Sequence, residues 1–146
     1  MTESRKVSIR QLATGVPGLD EALGGGVPEY SFNLIAGAPG SGKTTLSQQM
    51  MFSLATADRP ALHFTVLGEP PLKMLRYQQQ FAFFDAARVG DSVRFLYLGD
   101  EVLEMDLAAV LARIVREVEA AAPGLVFVDS FHSIVRRAAR ARPGRT

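Results

Sequence analysis

The chain has 146 residues, 47% of them hydrophobic and 21% charged, with a formal net charge of +1. That balance fits one soluble globular domain long enough to bury a core. The absence of cysteine excludes a disulfide framework and any thiolate-held metal. No apolar run approaches the roughly 20 residues that cross a bilayer, and the first residues are polar without a signal-peptide core, so a cytoplasmic location is expected. Arg136, Arg137, Arg140, Arg142 and Arg145 concentrate positive charge at the C-terminal end, leaving a mildly acidic body that argues against the whole domain being a nucleic-acid surface.

In chain order, residues 1–12 read as a polar tail leading into a short extended piece, Val7–Arg10. Residues 14–23 read as a turn and a short helix, which Gly24, Gly25 and Gly26 stop. Phe32–Ala36 is a short apolar stretch with the pattern of a buried strand. A helix is predicted over Thr44–Ala55, with apolar residues at 46, 50, 51 and 54. After a turn at Asp58–Pro60 comes a second apolar strand, Ala61–Leu67, broken by Gly68-Glu69-Pro70-Pro71. Leu72–Phe84 reads as a helix apolar over a broad arc, and Val93–Leu98 as a third strand. A long helix runs from about Met105 to Ala121, with Leu107, Val110, Leu111, Ile114 and Val118 as its core stripe and Arg113, Arg116, Glu117 and Glu119 toward water. Leu125-Val126-Phe127-Val128 then reads as a central parallel strand buried on both faces, ending in Asp129. Strands alternating with helices predict a three-layer α/β domain with a mostly parallel sheet.

Residues 37–44, Gly-Ala-Pro-Gly-Ser-Gly-Lys-Thr, match G-x-x-x-x-G-K-[ST] between a predicted strand and a predicted helix. Gly37, Gly40 and Gly42 lack a Cβ, so the backbone can take positive φ and turn its N–H groups toward phosphate oxygens. The following helix points its positive end at the same anion. Lys43 can reach β- and γ-phosphates, and the Thr44 hydroxyl can ligate Mg²⁺. The stretch Gly37, Ala38, Pro39, Gly40, Ser41, Gly42, Lys43, Thr44 and Thr45 is therefore a candidate nucleoside triphosphate loop. Asp129, at the C-terminal end of its strand where α/β sheets place ligands, matches the Walker B pattern whose carboxylate supports the metal.

Other residues have plainer readings. His63 and His132 are assigned neither a metal nor a catalytic role. Ser130 can touch a metal-bound water or cap the next helix. Phe81, Phe83 and Phe84 are close enough for a stacking surface, but core packing of a helix that covers a sheet is preferred. The arginine-rich end lacks interleaved aromatics and reads as a solvated tail.

With these residues placed, the chain resembles the KaiC-like branch of the RecA-type ATPases over roughly residues 12–133. Residues 14–28 are similar to that family's segment before the first strand, 34–45 to its P-loop, Glu69-Pro70-Pro71 with Leu75-Arg76-Tyr77 to the segment after its second strand, and 125–130 to its Walker B strand. The resemblance implies a RecA-like P-loop core that binds ATP with Mg²⁺. Lys43 and Thr44 would hold phosphate and metal, Thr44 and Asp129 would be the metal pair, and Glu69 and Lys43 the catalytic residues. The family typically has two adjacent glutamates after its second strand, one of them the general base. Here those positions read Gly68-Glu69, leaving Glu69 to orient the attacking water.

Tyr30 stands where the family usually has glycine. The chain resembles the N-terminal part of a KaiC-like domain and ends in an arginine-rich stretch unlike the usual continuation, so the core is expected to be incomplete at its C-terminus. A Val-rich strand edge would then be open to pairing. The expected division is a nucleotide-binding domain over residues 1–135 and a basic, disordered tail over 136–146. The expected function is ATP binding with hydrolysis, the alternative being a nucleotide-binding signalling or interaction module without turnover. Expected partners are ATP and either a homo-oligomer or a KaiC-like partner, with no membrane and no nucleic acid.

Overall fold

The computed structural model describes residues 7–65, 71–99 and 106–140. Two short strands, β1 (Gln11–Leu12) and β2 (Val27–Pro28), form an antiparallel pair around the four-residue helix α1 (Leu19–Ala22). At Gly26 a side chain would run into the Leu12 carbonyl, so the pair closes only on glycine. The buried Thr14 donates its N–H and its hydroxyl to one oxygen of Asp20, at 2.6 and 2.7 Å, which seats α1. These bonds hold the Asp20 carboxyl below its ordinary range.

The main sheet is parallel, in the order β4-β3-β5, with β3 at Ala61–Thr65, β4 at Val93–Tyr97 and β5 at Leu125–Asp129. In register, His63 lies opposite Phe95 and Phe127, and Thr65 opposite Tyr97 and Asp129. Because side chains alternate along a strand, odd positions of β3 share one face with α2 (Lys43–Leu54). There Met51, Phe52, Ala55, Ala61 and Val93 form a core joined by Phe83, Phe84, Phe95, Leu125 and Phe127. Even positions face the other layer, where Leu62 and Phe64 meet Val110 and Ile114 of α4 (Leu107–Ala121) and Ile134 of α5 (Phe131–Arg140). Two covered faces make the three layers, and each fully buried side chain of this size contributes roughly 2 kcal/mol. Asp106 caps α4, its carboxylate accepting from the Ala109 N–H at 2.9 Å. At the far end of α2, the Arg88 guanidinium takes the carbonyls of Phe52 and Ala55, acceptors that a helix end leaves open.

Several predicted elements change. Phe32–Ala36 is not a strand: Phe32 and Leu34 are 85% and 81% exposed, and the segment pairs with nothing among the described residues. Its apolar run has the propensity, but a strand also needs a ladder neighbour and a covering layer. The central strand is β3, buried at all five positions, whereas β5 pairs only with β3 among the described residues and leaves Val126 42% exposed. An apolar run reports covered faces, not position in the sheet.

The helix predicted over 72–84 ends at Gln78, as α3 (Pro71–Gln78). The chain then turns so that Phe83 and Phe84 both reach the Phe52 ring, at centroid distances of 5.9 and 5.3 Å. The extended piece placed at Val7–Arg10 forms its ladder later, at Gln11–Leu12. Arg113, expected in water, is half-buried beside Glu117, at 3.8 Å. α5 takes in residues 136–140 of the expected tail. Val66, Leu67 and Glu69 lie outside the described residues.

Candidate functional site: a phosphate loop against the end of β5

The loop before α2 turns on two left-handed glycines, Gly40 at φ 77° and Gly42 at φ 92°, conformations that side chains resist. Gly37 has an ordinary φ and serves differently. A Cβ there would stand 2.5 Å from the Ser41 Oγ, so glycine allows the loop to close on itself. Gly42 is the N-cap of α2 and offers no side-chain cap, and the N–H groups of Lys43, Thr44 and Thr45 are first-turn donors without helical acceptors. With the helix dipole behind them, they make an anion seat. A hollow of about 250 Å³ opens here, lined by Gly40, Gly42, Lys43, Thr44 and Thr45.

Lys43 does not reach outward. Its ammonium donates to the carbonyls of Gly37 and Ala38, both at 2.9 Å, and so bridges the loop. Thr44 donates its hydroxyl to Asp129 Oδ2 at 2.5 Å, joining residues 85 apart in sequence. The sheet register explains the meeting: Asp129 is the last residue of β5 on the α2 face, and α2 begins above it. Thr65, buried and directly across the ladder from Asp129, adds a hydroxyl residue to the same layer. Sequence reading passed over Thr65, although its position two residues after His63 on one strand face was the available signal.

One layer below, His63 is fully buried between Phe95 and Phe127, at ring distances of 5.5 and 6.4 Å. Neither ring nitrogen has a hydrogen-bond partner among the described residues. Burial pushes its pKa down to about 4, against a smaller opposing pull from the Asp129 charge. Ser130 serves α5: its hydroxyl meets that of Ser133 at 3.0 Å, as a cap would. His132 is exposed. The glutamate expected as base, Glu69, lies outside the described residues; among those described, the structure brings Thr44 and Asp129 into contact, with Lys43 turned back onto the carbonyls of Gly37 and Ala38.

The donor set fits a hard cation carried by phosphate. One hydroxyl and one carboxylate oxygen suit Mg²⁺, which takes few protein ligands and fills its octahedron with water and phosphate oxygens. Among the described residues no cluster of three or more His, Asp or Glu could hold a metal by itself.

A parallel α/β sheet with a glycine loop leading into a helix at its C-terminal edge defines a P-loop nucleotide-binding protein with a RecA-like core. The family model for the KaiC ATPase matches residues 12–145, and the chain belongs to that family. It is 33% identical over 129 residues to a UPF0273 protein of Thermotoga maritima, covering 77% of this chain and 53% of that protein. It is 38% identical over 74 residues to a UPF0273 protein of Pyrococcus horikoshii, covering 51% of this chain and 30% of that one. It is 35% identical over 127 residues to the DNA repair protein RadA of Mycobacterium tuberculosis, covering 86% of this chain and 23% of RadA. The chain thus spans about half, or less, of the length of these relatives. No helix among the described residues is long and apolar enough to cross a membrane.

Proposed function

We propose that this chain binds ATP with Mg²⁺ at residues 37–45 and Asp129 and hydrolyses it slowly, with Glu69 orienting the attacking water. The observation that carries the reading is the Thr44–Asp129 hydrogen bond, which sets a hydroxyl and a carboxylate together beside the anion seat. Thr44 and Asp129 would hold Mg²⁺, and the ion would neutralise charge developing on the transferred phosphate. The N–H groups of Lys43, Thr44 and Thr45 orient the phosphates. Lys43 exchanges its two carbonyl acceptors for phosphate oxygens, and charge-assisted bonds of that kind are roughly twice as strong as neutral ones. RecA-type relatives are ATP proteins, and family membership supports adenine over guanine. The same reading puts the protein in the cytoplasm and in a homo-oligomer, the latter supported by membership of the KaiC family.

A second reading, nucleotide binding without turnover, is favoured by Gly68 standing where the family's first glutamate would be. Glu69→Gln separates the two. Loss of phosphate release with ATP binding retained supports hydrolysis, whereas release from neither protein, with both binding ATP, supports a nucleotide-sensing module.

A further inference from the structure

Hydroxyls packed around the first turn of α2 and the end of β5 have partners. Thr44 donates to Asp129 Oδ2 at 2.5 Å, Ser47 donates to the Thr44 carbonyl at 2.8 Å, and Ser130 meets Ser133 at 3.0 Å. Thr65 is different. It is buried, 8% exposed, as the last residue of β3, and its hydroxyl makes no hydrogen bond among the described residues. A buried hydroxyl without a partner destabilises a fold by comparison with valine, which has nearly the same shape and suits a strand equally well. A polar group in that position calls for an explanation.

The register says where the hydroxyl can act. Residues directly across a ladder stand on one face of the sheet, about 4.8 Å apart by strand spacing. Thr65 has Asp129 on one side and Tyr97 on the other. The Tyr97 hydroxyl is turned back against Gly99, which leaves Asp129 as the polar neighbour within the sheet. Oδ2 of that carboxylate is taken by Thr44, while Oδ1 has no hydrogen-bond partner among the described residues. One layer below, His63 between Phe95 and Phe127 makes an aromatic floor. Thr44 itself lines the loop hollow. A spare hydroxyl and a spare carboxylate oxygen thus stand on one face without bonding each other, an arrangement that a shared water completes.

We propose that Thr65 is a positioning residue for the metal of the phosphate loop: its hydroxyl and Asp129 Oδ1 receive one water of the Mg²⁺ shell. The inference rests on the proposed ATP·Mg²⁺ reading and adds a residue to it. Mg²⁺ keeps several of its waters in nucleotide sites, so a protein that holds the ion must also accommodate those waters. A water bound to a cation through its oxygen has both hydrogens to donate, and Thr65 Oγ1 with Asp129 Oδ1 supplies an acceptor for each. Partners of this outer kind orient the ligand they touch, and their removal commonly weakens metal binding 10- to 100-fold.

The test is calorimetric titration of ATP into the full chain, with Mg²⁺ and with EDTA, for the unsubstituted chain, Thr65→Val and Thr65→Ser. The readout is the ratio of the two affinities, which is the gain that Mg²⁺ confers. Thr65→Val is expected to cut that gain about tenfold, and Thr65→Ser, which keeps the hydroxyl, to restore most of it. Thermal unfolding of nucleotide-free Thr65→Val is expected at or above the midpoint of the unsubstituted chain, since an unpartnered hydroxyl has been removed, so a lost metal response is not a lost fold. A full Mg²⁺ gain in Thr65→Val, beside an unsubstituted chain that shows the same gain, overturns the proposal and leaves the ATP reading standing. An equal loss with and without Mg²⁺, or a serine variant no better than the valine one, also overturns it and marks a packing role. An unsubstituted chain that binds no ATP overturns the ATP reading, and the proposal falls with it.

Discussion

The two sides of the phosphate loop are held very differently. Downstream, α2 is locked: Met51 is fully buried, Phe52 is clasped by Phe83 and Phe84, Arg88 takes its last carbonyls, and Thr44 ties its first turn to β5. Upstream, Tyr30, Phe32 and Leu34 are 97%, 85% and 81% exposed, without a ladder partner among the described residues. The anion seat is therefore positioned by the helix that follows it and not by the segment that leads to it. The first turn of α2 is the fixed part of the site, and Lys43 bridging to Gly37 and Ala38 links the unanchored half to the anchored one.

This contrast can be broken or sharpened by substitution. Met51→Ala, on the anchored side, is expected to lower the unfolding free energy by roughly 2–5 kcal/mol in urea denaturation, the range for emptying a packed core site. A loss within experimental error would mean that α2 is not the anchor. Beneath the site, the His63 imidazole stays neutral down to about pH 4, against 6.5 in the unfolded chain, so the unfolded state takes up the proton first. The His63 contribution is complete above pH 6.5 and falls away toward pH 4, by about 3 kcal/mol. His63→Leu should flatten that part of the stability–pH curve, and an unchanged curve would show that the ring is not held neutral.

On the unanchored side the effects shrink. Tyr30 adopts φ 56°, a left-handed conformation that glycine takes without strain. Tyr30→Gly is expected to raise stability by about 1 kcal/mol in the same urea assay, since the side chain there carries a cost and is almost wholly in water. A destabilised variant would mean that Tyr30 makes contacts worth more than its strain. Phe32→Ser should change stability by no more than about 0.5 kcal/mol, as for a surface site. A large loss would place Phe32 in a packed interface and erase the contrast.

What was legible in the sequence follows the same division. The residues of the loop and of α2 could be read because the glycine pattern, the lysine and the threonine act through local backbone geometry. Asp129 could be read because a strand ending in a carboxylate has few alternatives once a phosphate loop precedes it. Their contact at 2.5 Å across 85 residues depends on strand order and register, which local pattern does not carry. The same limit explains Phe32–Ala36 and β5. Apolar runs announce burial or strand propensity, but the neighbour that completes a ladder lies elsewhere in the chain. The early end of α3 was hidden because Gln79–Phe84 continues a helical pattern while Phe52 draws two consecutive rings to one point. Phe81 read as core packing for the same reason, yet it is 42% exposed: periodicity identifies a face without saying what covers it.

The most direct test of the central claim is calorimetric titration of ATP into the purified chain, with Mg²⁺ and with the metal chelated, beside Lys43→Ala. Binding that weakens about 10- to 100-fold on loss of Lys43, the scale of a charge-assisted hydrogen bond, and that also weakens on chelation is the predicted result. No binding, or binding indifferent to both Lys43 and Mg²⁺, would contradict it.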